Sequence, residues 1–261
     1  MVPAHLFEHA LAQFDPQTSR FLALERRRQA ARIVLIASES ICPQPVREAL
    51  TSELTNIYAE GYPSTRMSEW EADRIHDVPR HIAFFRRYAD RRYYKGTEYC
   101  DFIETLAQRR GAEMYAKHNH LGIRADDVYV NVQPLSGAAA VNACYQVAVN
   151  PGDKVMGFDL PSGGHLTHGS PFNRSGKTYS IIPYFVDEKT GRLDYDKIID
   201  TARREKPKLI IAGASAYPWF LDFEAFRRAA DTCGAMLLAD VSHPAGLIVT
   251  GNFPNPLGWA D

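Results

Sequence analysis

The sequence predicts an α/β protein with a mostly parallel sheet flanked by helices, and two observations predict it. From about residue 97 onward, short apolar segments alternate with amphipathic segments of helical period. The apolar segments also end in small or polar clusters rich in Gly, Ser, His or Asp. Such alternation is the pattern of right-handed βαβ units, whose ligand sites lie at the carboxyl ends of the strands.

The elements follow in order. Leu6, Ala10 and Phe14, then Phe21, Leu22 and Leu24, recur at helical spacing with Asp15-Pro16 between them, so residues 1–50 read as a helical N-terminal arm. Residues 51–261 read as the main domain. Within it, MSEWEADRIHDVPRHIAFFRRYADRR (67–92) is dense in charge, has a sparse apolar face and is broken at Pro79, which predicts a solvated helical insertion. A helix is predicted over 97–118 and a strand in VYVNVQ (128–133), then a helix over 137–149 and a strand in KVMGFD (154–159). YSIIPYFV (179–186), KLIIAG (208–213) and AMLLAD (235–240) read as further strands, separated by helices over 194–206 and 222–234.

Composition narrows the function classes. Thirty basic against thirty-one acidic side chains provide no electrostatic footprint for nucleic acid or an anionic membrane. No apolar run approaches the roughly 18 residues of a membrane span, and the acidic start MVPAHLFEHALAQFD lacks an export signal. The four cysteines are far apart and form no C-x-x-C pair, which points to a reducing cytoplasm rather than a disulfide framework or a zinc site. Small-molecule chemistry is the expectation.

Four strand ends carry that chemistry. Asp240 ends AMLLAD, an arrangement shared with the magnesium-holding strand of nucleotidases. The partner motif fails, because Ser175-Gly176-Lys177-Thr178 has Pro171 where the first glycine belongs and leads into a strand instead of a helix. Ser136-Gly137-Ala138 opens an alanine-rich helix, where a serine cap and free N–H groups make an anion site. His165 and His168 follow KVMGFD without the carboxylate of a metal motif, so a stacking or hydrogen-bonding histidine is the better reading. Ser215 follows KLIIAG. Together an anion cradle, an imidazole, a hydroxyl and a carboxylate equip one sheet edge to hold a phosphorylated aromatic cofactor.

LIASES (35–40), LTNIYAEGYPSTR (54–66), RYYKGTEYCDFIE (92–104), NVQPLSGAAAVNA (131–143), GGHLTHGSP (163–171), GASAYP (213–218) and ADVSHPAGLIVTGNFPNPL (239–257) resemble serine hydroxymethyltransferase, in that family's order. The resemblance implies the aspartate-aminotransferase-like fold (fold type I), pyridoxal 5'-phosphate as cofactor and tetrahydrofolate as co-substrate. It implies that Asp240 pairs with the pyridine nitrogen, His165 stacks on the ring, and Ser136 and Gly137 hold the phosphate. Ser215 then lies near the phenolic oxygen and His243 beside the cofactor. Ser38 matches a residue near the substrate carboxylate, Glu60 a carboxyl near the substrate hydroxyl, and Tyr58 and Tyr94 pocket tyrosines. In the family Tyr58, Glu60 and Tyr94 reach the neighbouring subunit's site, which implies a homodimer.

Departures are equally specific. Ala138 stands where the family usually has a second phosphate-binding hydroxyl, Lys95 replaces a glycine, and the 67–92 insertion falls near the folate pocket. The segment carrying the Schiff-base lysine, expected shortly after PNPL, and the smaller C-terminal domain are not in these 261 residues. The expectation is a split or truncated enzyme, with a complementary chain supplying the lysine. Two alternatives stand beside serine–glycine interconversion: a folate-independent threonine aldolase or transaldolase of the same fold, and an inactive homologue acting as a binding module.

Overall fold

The computed structural model describes residues 9–36, 38–64, 67, 77–88 and 91–261. Contacts divide the chain into two compact units, Met1–Cys42 and Pro43–Asp261. In the first, α1 (Leu11–Phe14) and α2 (Pro16–Ala30) are separated at Asp15, as the Asp-Pro pair predicts. The Asp15 carboxylate caps α2 by accepting from Gln17 and Thr18 N–H, and Pro16 supplies a fixed φ in the first turn.

The second unit begins with α3 (Gln44–Leu50), α4 (Val78–Tyr88) and the long α5 (Glu98–Ala116). Much of the predicted insertion, 68–76 and 89–90, lies outside the described residues. Its described part corrects the sequence reading twice. Pro79 sits in the first turn of α4, where its missing N–H costs nothing, so it starts a helix instead of breaking one. The helix is also not wholly solvated: His81 is buried, edge-on to Phe102 of α5 with ring centroids 5.1 Å apart.

The remaining elements are α6 (Gly137–Ala148), β1 (Lys154–Phe158), α7 (Arg174–Thr178), β2 (Ser180–Tyr184), α8 (Tyr195–Glu205), β3 (Leu209–Gly213), α9 (Phe223–Asp231), β4 (Met236–Asp240) and α10 (Ala245–Val249). The four strands form an all-parallel sheet in the order β2-β1-β3-β4. This is the predicted α/β class. VYVNVQ is the exception among the strands. It forms no strand and joins no described ladder, and Tyr129 and Val132 are exposed. The Ser175–Thr178 fragment lies in α7 and leads directly into β2, which agrees with rejecting a nucleotide loop.

Alternation along the strands builds a core on each face. Met156, Phe158, Ile210, Ala212 and Leu237 pack with Ile198 and Ala202 of α8 and Phe226, Ala229 and Ala230 of α9. Val155, Leu209 and Ile211 point the other way, to Val141 and Tyr145 of α6. β3 is buried at every residue, as expected of a parallel strand covered on both sides. Asp194 and Asp222 cap α8 and α9 through Lys197 and Ala225 N–H. No described helix is long and apolar enough to cross a membrane.

Candidate active site at the carboxyl edge of the sheet

β1, β3 and β4 deliver His165, Ser215 and Asp240 to the same edge, because parallel strands all end on one side. Asp240 closes β4 opposite Gly213 of β3. A Cβ on Gly213 would stand 2.5 Å from Asp240 O, so a side chain there would push the two strand ends apart. After β1 the chain turns through Gly163 and Gly164. The Gly163 carbonyl accepts from Ser215 N–H (2.8 Å) and Ala216 N–H (3.0 Å), tying the loop of His165 to that of Ser215.

The site turns on a histidine that the sequence reading left without a role. His168 Nε2 lies 2.9 Å from Asp240 Oδ2, with the imidazole 1% and the carboxylate 11% exposed. The backbone N–H of His165 donates to His168 Nδ1 at 3.2 Å. Nδ1 is therefore an acceptor, the proton sits on Nε2, and Nε2 donates to Asp240. The other carboxylate oxygen, Oδ1, accepts from Ser242 Oγ (2.6 Å) and Ser242 N–H (3.1 Å). Burial alone would raise the Asp240 carboxyl, but the hydrogen bonds from His168 and Ser242 outweigh it and hold it well below the usual carboxylate range.

His165 and His243 flank this carboxylate. Burial, reinforced by His168 alongside, pushes the His165 imidazole below its usual value, so it is neutral at pH 7. Its Nδ1 lies 2.8 Å from Thr167 Oγ1 and accepts from Thr167 N–H at 3.3 Å. His243 pairs with Ser215, Nε2 to Oγ 3.1 Å, and its ring centroid is 6.5 Å from that of His165. Ser136 caps α6 by accepting from Ala139 N–H at 3.2 Å, and Gly137 and Ala138 follow it exposed in the helix's first turn. A cavity of about 230 Å³ lined by Gly137, Cys144, Asp240 and Ser242 joins the helix start to the carboxylate.

The second group of sequence-predicted residues assembles around a buried guanidinium. Arg92 donates through Nε to Asp101 (2.6 Å), through Nη2 to Glu104 (2.6 Å), and through Nη1 to the carbonyls of Ala59 (2.7 Å) and Gly61 (2.8 Å). Gln133 Nε2 donates to the Gly61 carbonyl and to Glu104. This clamp fixes the YAEGYP loop on α5. Glu60 O accepts from Tyr93 N–H at 3.1 Å, and the rings of Tyr58 and Tyr94 meet edge-on at 5.1 Å. The contacts thus join Tyr58, Glu60 and Tyr94 in one set, and Ser136, Gly137, His165, Ser215, Asp240 and His243 in another. Ser38 belongs to the first unit, exposed in a turn closed by Glu39 N–H on Ile36 O.

Arg92, Gln133, His168 and Ser242 were not singled out from sequence. The signal for His168 was its three-residue spacing from His165 beside a strand end; the sequence reading preferred a stacking or hydrogen-bonding histidine there over a metal ligand, but gave the role to His165 and named no partner for His168. The family model for serine hydroxymethyltransferase matches residues 11–77 and 83–261, with the break falling in the first half of α4. With that match over nearly the whole chain, and a parallel sheet carrying a carboxylate, imidazoles and a capped helix start at one edge, the protein belongs to the serine hydroxymethyltransferase family.

Proposed function

We propose that the second unit binds pyridoxal phosphate and interconverts serine and glycine, with the one-carbon unit passing to tetrahydrofolate. The observation that carries this reading is the Asp240 carboxylate, held ionised between two donors at the end of β4 beside the start of α6. The residues present fit the cofactor. An ionised carboxylate suits a protonated ring nitrogen, a neutral imidazole at His165 suits an aromatic face, and the first turn of α6 offers N–H groups to a phosphate. Gly137 is open, since among the described residues a Cβ there would meet only Ser242 Oγ, at 3.5 Å.

Bound there, pyridoxal phosphate supplies a ring that withdraws electrons from the amino acid's α-carbon. Asp240 would keep a proton on the ring nitrogen, His168 and Ser242 would hold Asp240 in place, and Ser136, Gly137 and Ala138 would cradle the phosphate, with backbone N–H groups compensating for the missing hydroxyl at Ala138. Ser215, paired to His243, would donate toward the phenolic oxygen. Tyr58, Glu60 and Tyr94 would enter the site of a neighbouring subunit in a homodimer, with Glu60 exchanging a proton with the substrate hydroxyl. Ser38 would lie near the substrate carboxylate. The anchoring lysine would come from outside residues 1–261; among the described residues, the hydrogen bonds of Asp240, His165, His168, Ser215 and Ser242 run to partners other than lysine.

A tagged chain expressed in its native host tests this. Its co-purifying polypeptides are screened for a lysine that borohydride fixes to pyridoxal phosphate, and glycine formation from serine is followed with and without tetrahydrofolate. Strong acceleration by folate supports the reading, and failure to take up pyridoxal phosphate refutes it. The break in the family match within α4, together with Lys95 beside Tyr94, favours a second reading, folate-independent threonine cleavage with transfer to another aldehyde. Indifference to folate with turnover of threonine would select it.

A further inference from the structure

Ser242 stands at a junction that neither the sequence motif nor the family match explains. Its hydroxyl donates to Asp240 Oδ1 at 2.6 Å, a length typical of a charge-assisted O–H···O⁻ bond, and its N–H reaches the same oxygen at 3.1 Å. The same Oγ lies 3.5 Å from where a Cβ on Gly137 would be. One side chain therefore bonds the carboxylate at the strand end and lines the same cavity as the first residue of the helix that would hold the phosphate.

A carboxylate oxygen has two lone pairs. Ser242 takes both on Oδ1, whereas His168 takes one on Oδ2. Only Oδ2 keeps a lone pair for another donor. His168 alone would leave the carboxylate free to swing about its bond to Cβ; with Ser242 engaged on the opposite oxygen that rotation is blocked.

We propose that Ser242 is a positioning residue, which presents Asp240 Oδ2 to the ring nitrogen and sets the spacing between that contact and the phosphate cradle at Gly137. The proposal rests on the pyridoxal-phosphate reading and deepens it. A role confined to folding would weaken every ligand of the site alike. A role in aiming Asp240 weakens only ligands that have a ring nitrogen to receive.

The test uses the full chain and two probes, pyridoxal phosphate and its 1-deaza analogue, which keeps the phosphate and lacks the ring nitrogen. Dissociation constants are measured at pH 7 for the native protein, Ser242→Ala and Ser242→Thr. Loss of one hydrogen bond that aims a charge is expected to weaken pyridoxal phosphate about tenfold in Ser242→Ala, leave the deaza analogue unchanged, and be largely recovered in Ser242→Thr, which keeps the hydroxyl. The ring ¹⁵N resonance of bound pyridoxal phosphate should shift toward its unprotonated value in the alanine variant alone. An equal loss for both probes, or none for either, overturns the proposal. If the native chain binds neither probe, the cofactor reading itself fails, and that outcome is read from the native protein before any variant is made.

Discussion

Replacing His168 by phenylalanine tests the electrostatic centre of the site. Phenylalanine keeps a ring of similar bulk in a position that is 1% exposed, so the change removes hydrogen bonds more than volume. Two go: the donation from Nε2 to Asp240 and the acceptance by Nδ1 from His165 N–H. A hydrogen bond to a buried charge contributes about 2 kcal/mol and the neutral one about 1 kcal/mol, so the variant should lose about 3 kcal/mol at pH 7. The loss should depend on pH in a definite direction. In the native protein the Asp240 carboxyl titrates below its ordinary value, so its stabilisation is complete above the unfolded-state value of 3.8 and fades as pH falls toward the folded one. Without His168, burial is opposed by Ser242 alone and the carboxyl moves upward. The stability gap between native and variant should therefore be widest at pH 5–7 and narrow below about pH 4. Urea unfolding followed by circular dichroism at pH 7, 5 and 3.5 measures it. A gap of equal size at all three, or under about 1 kcal/mol at pH 7, would refute the reasoning.

Other perturbations have equally definite outcomes. Arg92→Met strands the buried Asp101 carboxylate and should cost about 3–5 kcal/mol in thermal unfolding, with Arg92→Lys recovering only part because an ammonium cannot reach four acceptors in the fork geometry. Ser136→Ala removes the cap of α6, should cost about 1 kcal/mol of stability, and should weaken binding of pyridoxal phosphate measured by titration. Gly157→Ala places a Cβ 2.1 Å from His168 O, so it should destabilise the fold by about 2 kcal/mol, and nuclear magnetic resonance should show the His168 ring displaced from Asp240.

What was legible in the sequence was whatever is decided locally. α8 and α9 each announce themselves by a capping aspartate ahead of an amphipathic run, and β3 by five apolar or small residues that both sheet faces can cover. VYVNVQ has the same local look as β3, yet a strand exists only where a neighbour supplies the other half of the ladder, and composition does not reveal that neighbour. Asp240 and the Ser136 cap were readable from their places at element ends. His168 meets Asp240 across 72 residues of chain, and Arg92 meets Ala59 across 33. Neither pairing has a periodicity to betray it. Pro79 was misread because the same residue breaks a helix from within and begins one from its first turn.

The crowding between Gly213 and Asp240 limits how this protein can drift. An added methyl at 213 would sit 2.8 Å from the Asp240 Cβ as well as against its backbone, so the substitution does not merely loosen a core. It would displace the Asp240 carboxylate, on which the His168 and Ser242 donors converge. A randomised library at position 213 should therefore return almost nothing but glycine under selection for cofactor binding, and should tolerate alanine and serine under selection for soluble expression alone. The distance between those two enrichment profiles would read, at a single codon, how tightly the shape of the sheet edge is coupled to what it holds.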